Sequence, residues 1–213
     1  MSTGELDDVC ARTFDLHGAQ AVPALVYGFP GIACISVNNE AVHGVPGQRR
    51  LEPGDLVKLD VIAELDCYFA DASITVRRCR RCIPRLSLAT CARDALRRAT
   101  GAARAECPAN VIDSSVQSEV EHRGSSIMPA LGGHGVGRTI HEEPSPHNYY
   151  ASWDDEPLTE GLVLAIDSVI SAGSGVSRDA GDGWTVVTAD GTDSAHFEHT
   201  VVITRGRPLV LTA

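Results

Sequence analysis

No stretch of this chain is apolar for anything near the roughly 18 residues that crossing a bilayer takes. Its first ten residues, MSTGELDDVC, hold neither a positive leader nor an apolar core. Neither a membrane span nor a secretory signal is expected. Basic charge is scarce too: 18 Lys and Arg stand against 28 Asp and Glu, for a net charge of −10. That excludes a general nucleic-acid binder, which works through a positive surface. Cysteines number seven, an odd count, and nothing marks the chain for export. A disulfide framework is therefore not expected, and a reducing cytoplasmic compartment is.

What is present is 213 residues with 43% hydrophobic and 22% charged side chains. That is globular composition, enough for one good-sized domain or two small lobes sharing a core. Ser2 to Glu5 has capping-box spacing, Leu6, Val9, Cys10, Thr13 and Phe14 share a helical face, and Gly18 stands where a C-cap glycine belongs. A second helix is expected from about Ser87, carrying Leu88, Ala92, Ala95, Leu96 and Ala99. A third is expected from about Asp113 to Gly124, with Val116 and Val120 inward. Strand-like runs fall at Cys34–Val37, Leu56–Glu64, Tyr68–Val76, Leu162–Ile170 and Phe197–Thr204. Interleaved strands and helices make this a mixed α/β or α+β chain.

One internal echo stands out. Residues 51–60, LEPGDLVKLD, overlay residues 158–167, LTEGLVLAID, without a gap, and a His-x-x-Pro precedes each, at His43 and His141. Two readings stay open: chance likeness between turn-then-strand segments, or two similar halves that each give a histidine and a carboxylate to a shared site.

The carboxylates favour a site. If Leu65 and Asp66 form a hairpin loop, Asp60 faces Asp71 across the pair, with Val57, Leu59, Val61 and Ala63 as the apolar face. Alone, such aspartates read equally well as a solvated strand face. His134, however, lies among four glycines in GGHGVG, Asp167 ends the apolar run LVLAI, and Glu198 precedes TVVI with His196 and His199 on either side. Four carboxylates and an imidazole suit two oxygen-preferring divalent ions, whereas a structural zinc site would draw on thiolates. Cys79, Cys82, Cys91 and Cys107 are too irregularly spaced for such a zinc site.

The motifs STGELD, CISVN, HGVP, GHGVGR, HEEP, DGWTV and FEHT together resemble the type I methionine aminopeptidases over essentially the whole chain. The resemblance implies an α+β pita-bread fold over residues 1–213 as one catalytic domain, with two pseudo-symmetric halves around a dinuclear metal site. It implies hydrolytic removal of N-terminal methionine from peptides and nascent proteins with a small second residue, through a metal-bridging water. Asp71 and Glu198 would bridge two ions (Co, Mn, Fe(II) or Zn), Asp60 would chelate one, and His134 and Asp167 would hold the other. His43 and His141 would contact the substrate, and Glu198 would also shuttle the proton. Phe29, Cys34 and Trp184 would line the methionine pocket, with Val26 and Ile140 at positions where the family often has aromatic residues.

The chain departs from the family at Asp167-Ser168, where glutamate and proline are usual, at Ala70 and Gly47, and in lacking the family's leading helix. An aspartate is one methylene shorter, so ion or strand must shift by about an ångström, enough to alter rates strongly. These departures support an alternative, a catalytically impaired or specificity-altered relative such as an Xaa-Pro aminopeptidase. Nine arginines between Arg77 and Arg104 read as a solvated helix face, or as a patch for transient contact with ribosomal RNA.

Overall fold

The computed structural model describes residues 1–77 and 83–212. Helix α1 (Thr3–His17) leads to strand β1 (Gln20–Ala21), a π-helical turn (Pro23–Tyr27), β2 (Cys34–Val37) and β3 (Glu40–Val42). The hairpin β4 (Leu56–Leu65) and β5 (Tyr68–Arg77) precedes helices α2 (Ile83–Ala102) and α3 (Asn110–His122). Strands β6 (Ser126–Ile127), β7 (His134–Gly135), β8 (Val163–Ser171), β9 (Ser177–Asp179), β10 (Val186–Thr188), β11 (Ser194–Val202) and β12 (Leu209–Val210) complete the chain.

Local signals set the helices. The Ser2 hydroxyl accepts from the Glu5 amide at 3.1 Å, the Glu5 carboxylate accepts from the Ser2 amide at 2.6 Å, and Gly18 closes α1 at φ 67°. α2 starts four residues before Ser87 and α3 three before Asp113. Cys79 and Cys82 fall outside the described residues.

The larger sheet runs β1-β4-β5-β11-β8-β6, with β2 on β4, β7 on β8 and β12 on β11; β3, β10 and β9 form a second sheet. β5 and β11 meet at the centre, paired through Glu198↔Ser73 and His199↔Ala72. The echoed segments end in β4 and β8, the strands flanking this central pair, so the echo is the trace of two similar halves.

Alternation divides the work of β8 and β11. Leu164, Ile166 and Ile170 with Ala195, Val201 and Ile203 pack on Leu88, Leu96, Val116 and Val120 of the helices. Asp167, His196 and Glu198 point to the opposite face. The run LVLAI is apolar because β8 is buried on both faces, and its carboxylate serves the face away from the helices.

The β4–β5 register differs from the sequence expectation. Asp66 and Cys67 form the two-residue loop at φ 54° and 63°, the left-handed pair of a type I′ turn. Asp60 then pairs with Ser73 and Asp71 with Ile62, so the two aspartates are diagonal neighbours on one face. That face is the buried one. Lys58, Asp60 and Ile62 are covered while Leu59, Val61 and Ala63 are only half-buried, the reverse of what hydrophobicity alone assigns.

Lys58 has no parallel among the expectations. It is 1% exposed, and its ammonium donates to Asn38 O at 2.6 Å, Ser194 O at 3.3 Å and Ser194 Oγ at 3.2 Å. It thereby ties β4 to the turn before β3 and to the start of β11. Lys58→Met strips these acceptors of their buried donor and is expected to cost about 2–4 kcal/mol. The check is the urea midpoint at unchanged slope.

Asp113 on α3 is fully buried and lacks a well-formed hydrogen bond among the described residues. Burial, followed by the charge of Asp154, pushes its carboxyl up to about 7. The folded state then holds a proton that the unfolded chain releases near pH 4, so stability falls as pH rises from about 4 to 7. Asp113→Asn is expected to raise stability by on the order of 1–3 kcal/mol at pH 8 and to change little at pH 4. Thermal unfolding of both proteins at the two pH values is the measurement.

Candidate metal centre

Each acidic side chain of the centre comes from a different sheet strand: Asp60 from β4, Asp71 from β5, Asp167 from β8 and Glu198 from β11. Asp167 lies directly opposite Glu198 in the ladder, which brings their Cβ atoms within about 5.5 Å. β5 and β11 are stapled on both sides of their short pairing. Thr200 Oγ1 accepts from Asp71 N at 2.9 Å and donates to Asp71 O at 2.8 Å. Thr75 Oγ1 does the same for His196, accepting from N at 2.8 Å and donating to O at 2.7 Å.

His134 enters from β7, whose glycines explain themselves. A Cβ on Gly133 would sit 2.5 Å from Ala165 O, and one on Gly135 would sit 2.7 Å from Glu143 O. Only bare backbone lets this segment press against β8 on one side and against residues 142–143 on the other. His134 Nδ1 lies 3.0 Å from Gly135 O, a bond that makes it the donor and leaves Nε2 free. Nε2 stands 3.8 Å from Asp71 Oδ2 and 4.0 Å from Glu198 Oε1.

Asp60, Asp71, Asp167 and Glu198 each keep a buried oxygen with no hydrogen-bond partner among the described residues, as do both ring nitrogens of His196. Two sets have donor atoms all within 4.8 Å of one another: Asp71, His134 and Glu198, and Asp167, His196 and Glu198. Buried anionic oxygens without donors are costly unless cations answer them, and the mixed oxygen and imidazole set fits divalent metal. Burial, then the charge of Glu198, pushes Asp60 up to about 7 and holds Asp71 and Asp167 well above the usual carboxylate range. For Glu198 burial acts upward, but His196 and His134 win and keep it below its ordinary value.

These groups floor a cavity of about 460 Å³ whose walls include Tyr27, Phe29, Cys34, Val42, Leu131 and Trp184. The Phe29 and Trp184 rings meet edge to face at 5.3 Å. Cys34 is buried, and burial followed by Asp60 pushes its thiol well up. His43, in the left-handed region at φ 56°, and His141 open onto the same cavity. Burial lowers both imidazoles, with His196 and His141 adding to the effect on His43 and His134 adding to that on His141. The His134 and His141 rings lie 4.4 Å apart, and Tyr27 Oη is 2.7 Å from His141 Nδ1.

Val26 and Ile140 are placed elsewhere. Val26 is exposed on the π-helical turn, which carries its neighbour Tyr27 into the wall instead. Ile140 is buried in a cluster with Val22, Ile62, Val136 and Ala165. Sequence reading also passed over Tyr27 and His196. The first carries no periodic signal, whereas the second has one: it precedes Glu198 by two in an alternating strand and so shares its face. His199 points the other way, with Nδ1 3.0 Å from Thr212 Oγ1.

Partnerless carboxylates at the floor of an open, apolar-walled cavity are the plan of a metal-dependent hydrolase. The model of metallopeptidase family M24 matches residues 1–205. Methionine aminopeptidase 2 of Bacillus subtilis is 37% identical over 214 residues, covering 100% of this chain and 86% of that protein. The crystal structure of methionine aminopeptidase from Thermotoga maritima superposes with a TM-score of 0.96 at 30% identity, over 99% of this chain and 85% of that one. That from Rickettsia prowazekii gives 0.95 at 32%, over 100% and 86%. The chain belongs to metallopeptidase family M24 and, within it, to the methionine aminopeptidases. Its fold is the pita-bread fold of that family. Among the described residues no helix is long and apolar enough to cross a membrane.

A divalent ion at a hundred times its dissociation constant adds about 2.7 kcal/mol to stability. Because the raised carboxyls must give up protons to bind it, the gain is larger at pH 7.5 than at pH 5.5. Thermal unfolding with and without Mn²⁺, reversed by a chelator, checks this.

Proposed function

We propose that residues 1–213 act as one catalytic domain that hydrolyses the bond after an N-terminal methionine when the second residue is small. Its substrates are peptides and nascent chains in the cytoplasm. The observation that carries this reading is the apolar wall of Phe29, Cys34 and Trp184 standing directly against the carboxylate floor. A thioether offers dispersion and little hydrogen bonding, so it suits two edge-to-face rings and a thiol kept protonated by burial. The methionine amine meets Asp60, Asp71 and His43, and the second residue lies at the mouth beside Tyr27 and His141.

Two divalent ions, of Co, Mn, Fe(II) or Zn, supply Lewis acidity when bound, acidifying water and polarising a carbonyl. Asp60, Asp71, His134, Asp167 and Glu198 are the residues to hold them. Glu198, kept ionised by its imidazole neighbours, takes the proton from the attacking water and passes it to the leaving amine. Tyr27 Oη lies 2.7 Å from His141 Nδ1, and with the phenol as donor the ring proton sits on Nε2. His141 then offers an N–H to the scissile carbonyl oxygen, and its lowered pKa keeps it neutral. His43 is neutral for the same reason and accepts from the substrate amine or amide.

The arginine patch has two parts. Arg85 is bound to Asp193 by two bonds of 2.7 and 3.0 Å, and Arg98 reaches buried Glu119 at 2.6 Å. Arg93, Arg97 and Arg104 remain exposed on and beyond α2 as the surface for transient contact with ribosomal RNA.

Met-Ala-Ser is expected to release methionine in Mn²⁺, Co²⁺ or Fe²⁺, with Met-Leu-Ser and Xaa-Pro peptides left intact. Glu198→Gln should lower kcat by about 10²–10⁴-fold. No methionine release under any metal from folded protein would defeat the proposal, and cleavage of Xaa-Pro peptides alone would redirect it.

A further inference from the structure

We propose that His196 is itself a metal ligand, so that Glu198 bridges two half-sites with an imidazole in each, His134 beside Asp71 and His196 beside Asp167, with Asp60 kept in the set as a further ligand. This rests on the metallopeptidase reading above and changes how the ligands are shared within it. The geometry is that of an alternating strand. His196 and Glu198 sit two apart on β11 and share a face, and Asp167 stands opposite Glu198 in the ladder. The two oxygens of Glu198 each face one imidazole: Oε1 is 4.0 Å from His134 Nε2, and Oε2 is 3.5 Å from His196 Nε2. Each trio has its donor atoms within 4.8 Å, so an ion about 2.0–2.2 Å from each donor can be enclosed with modest side-chain movement.

The second observation is that the His196 ring is engaged only loosely, its Nε2 lying 3.5 Å from Glu198 Oε2. It is 3% exposed, and neither ring nitrogen makes a hydrogen bond among the described residues. A buried imidazole whose nitrogens make no well-formed hydrogen bond is destabilising unless something binds there. Thr75 brackets its backbone from β5, so the ring is held on the site face rather than free to swing out. The partner it would serve is short of reach: Asp167 stands where the resemblance implies a glutamate, and one of its oxygens is also idle. The longer imidazole supplies the donor that the missing methylene withdraws. With a nitrogen donor in each half-site, the centre favours Zn²⁺, Co²⁺ or Fe²⁺ over Mn²⁺ more than a site with a single histidine does.

Co²⁺ is the probe. Proton NMR of the Co²⁺-loaded full chain should show two hyperfine-shifted, exchangeable imidazole N–H signals, one for His134 and one for His196. A single signal overturns the proposal. In calorimetric titrations, His196→Ala should weaken one of two Co²⁺ ions by about a hundredfold and lower the preference for Co²⁺ over Mn²⁺. His196→Asn gives the same reading should the alanine variant fail to fold. Wild-type affinity for both ions in these variants, with an unchanged visible spectrum, also overturns it. Two N–H signals in a protein that releases no methionine would leave His196 a ligand and defeat the proposed activity. Full activity with one signal does the reverse, and a wild-type chain that binds no Co²⁺ removes both.

Discussion

Four carboxylates held out of water on one face of a sheet repel each other, and much of this structure answers that repulsion. Asp60, Asp71 and Glu198 are all under 7% exposed, and Asp167 faces Glu198 across the β8–β11 ladder. Removing even one ionised carboxylate from water costs several kcal/mol, and mutual repulsion adds to it. The protein meets the cost in three ways. Burial and neighbouring charge raise Asp60, Asp71 and Asp167 above the usual carboxylate range, two imidazoles hold Glu198 below its ordinary value, and partnerless oxygens are left turned toward a shared space. That space is where cations belong.

The strain also explains the backbone around it. A sheet carrying this face cannot rely on ladder bonds alone where β5 meets β11, because only two residue pairs are in register there. Thr75 and Thr200 extend the join with hydroxyls that both donate and accept. Lys58 shows a second solution to buried charge. Its ammonium is answered by carbonyl and hydroxyl oxygens rather than by a carboxylate, and burial lowers its pKa to about 7. Two residues from Asp60 on the same face, it anchors the strand that delivers that carboxylate.

What was legible in the sequence was what local chemistry decides. Capping at Ser2 and Gly18, the apolar stripe of α2 and the glycines around His134 each state their purpose within a few residues. The echo of 51–60 in 158–167 reported two similar halves, because turn, strand and carboxylate recur together. The hairpin register was harder: loops at Leu65-Asp66 and Asp66-Cys67 both fit the hydrophobic pattern, and only the backbone, with positive φ at Asp66 and Cys67, decides. The orientation of β4 ran against hydrophobicity because its polar face was the one to be buried. Val26 and Tyr27 exchanged roles because a π-helical turn, closed by i to i+5 bonds, rotates less per residue than an α-helix, which composition does not show.

The histidines close the argument, since their protonation decides what each can do. His43 and His141 open onto the cavity, yet burial and neighbouring imidazoles lower both, so they stay neutral and offer directed donors and acceptors. His134 and His196 lie deeper, with their Nε2 atoms turned to the two oxygens of one carboxylate, the placement from which the proposed centre would draw both as ligands. The same side chain therefore serves at two depths. At the rim, a tyrosine hydroxyl lies against His141 Nδ1; at the floor, a backbone carbonyl, which can only accept, fixes the tautomer of His134. In the proposed function, metal affinity and substrate polarisation are thus separated by a few ångströms of depth, and the edge-to-face contact of His134 with His141 joins the two levels.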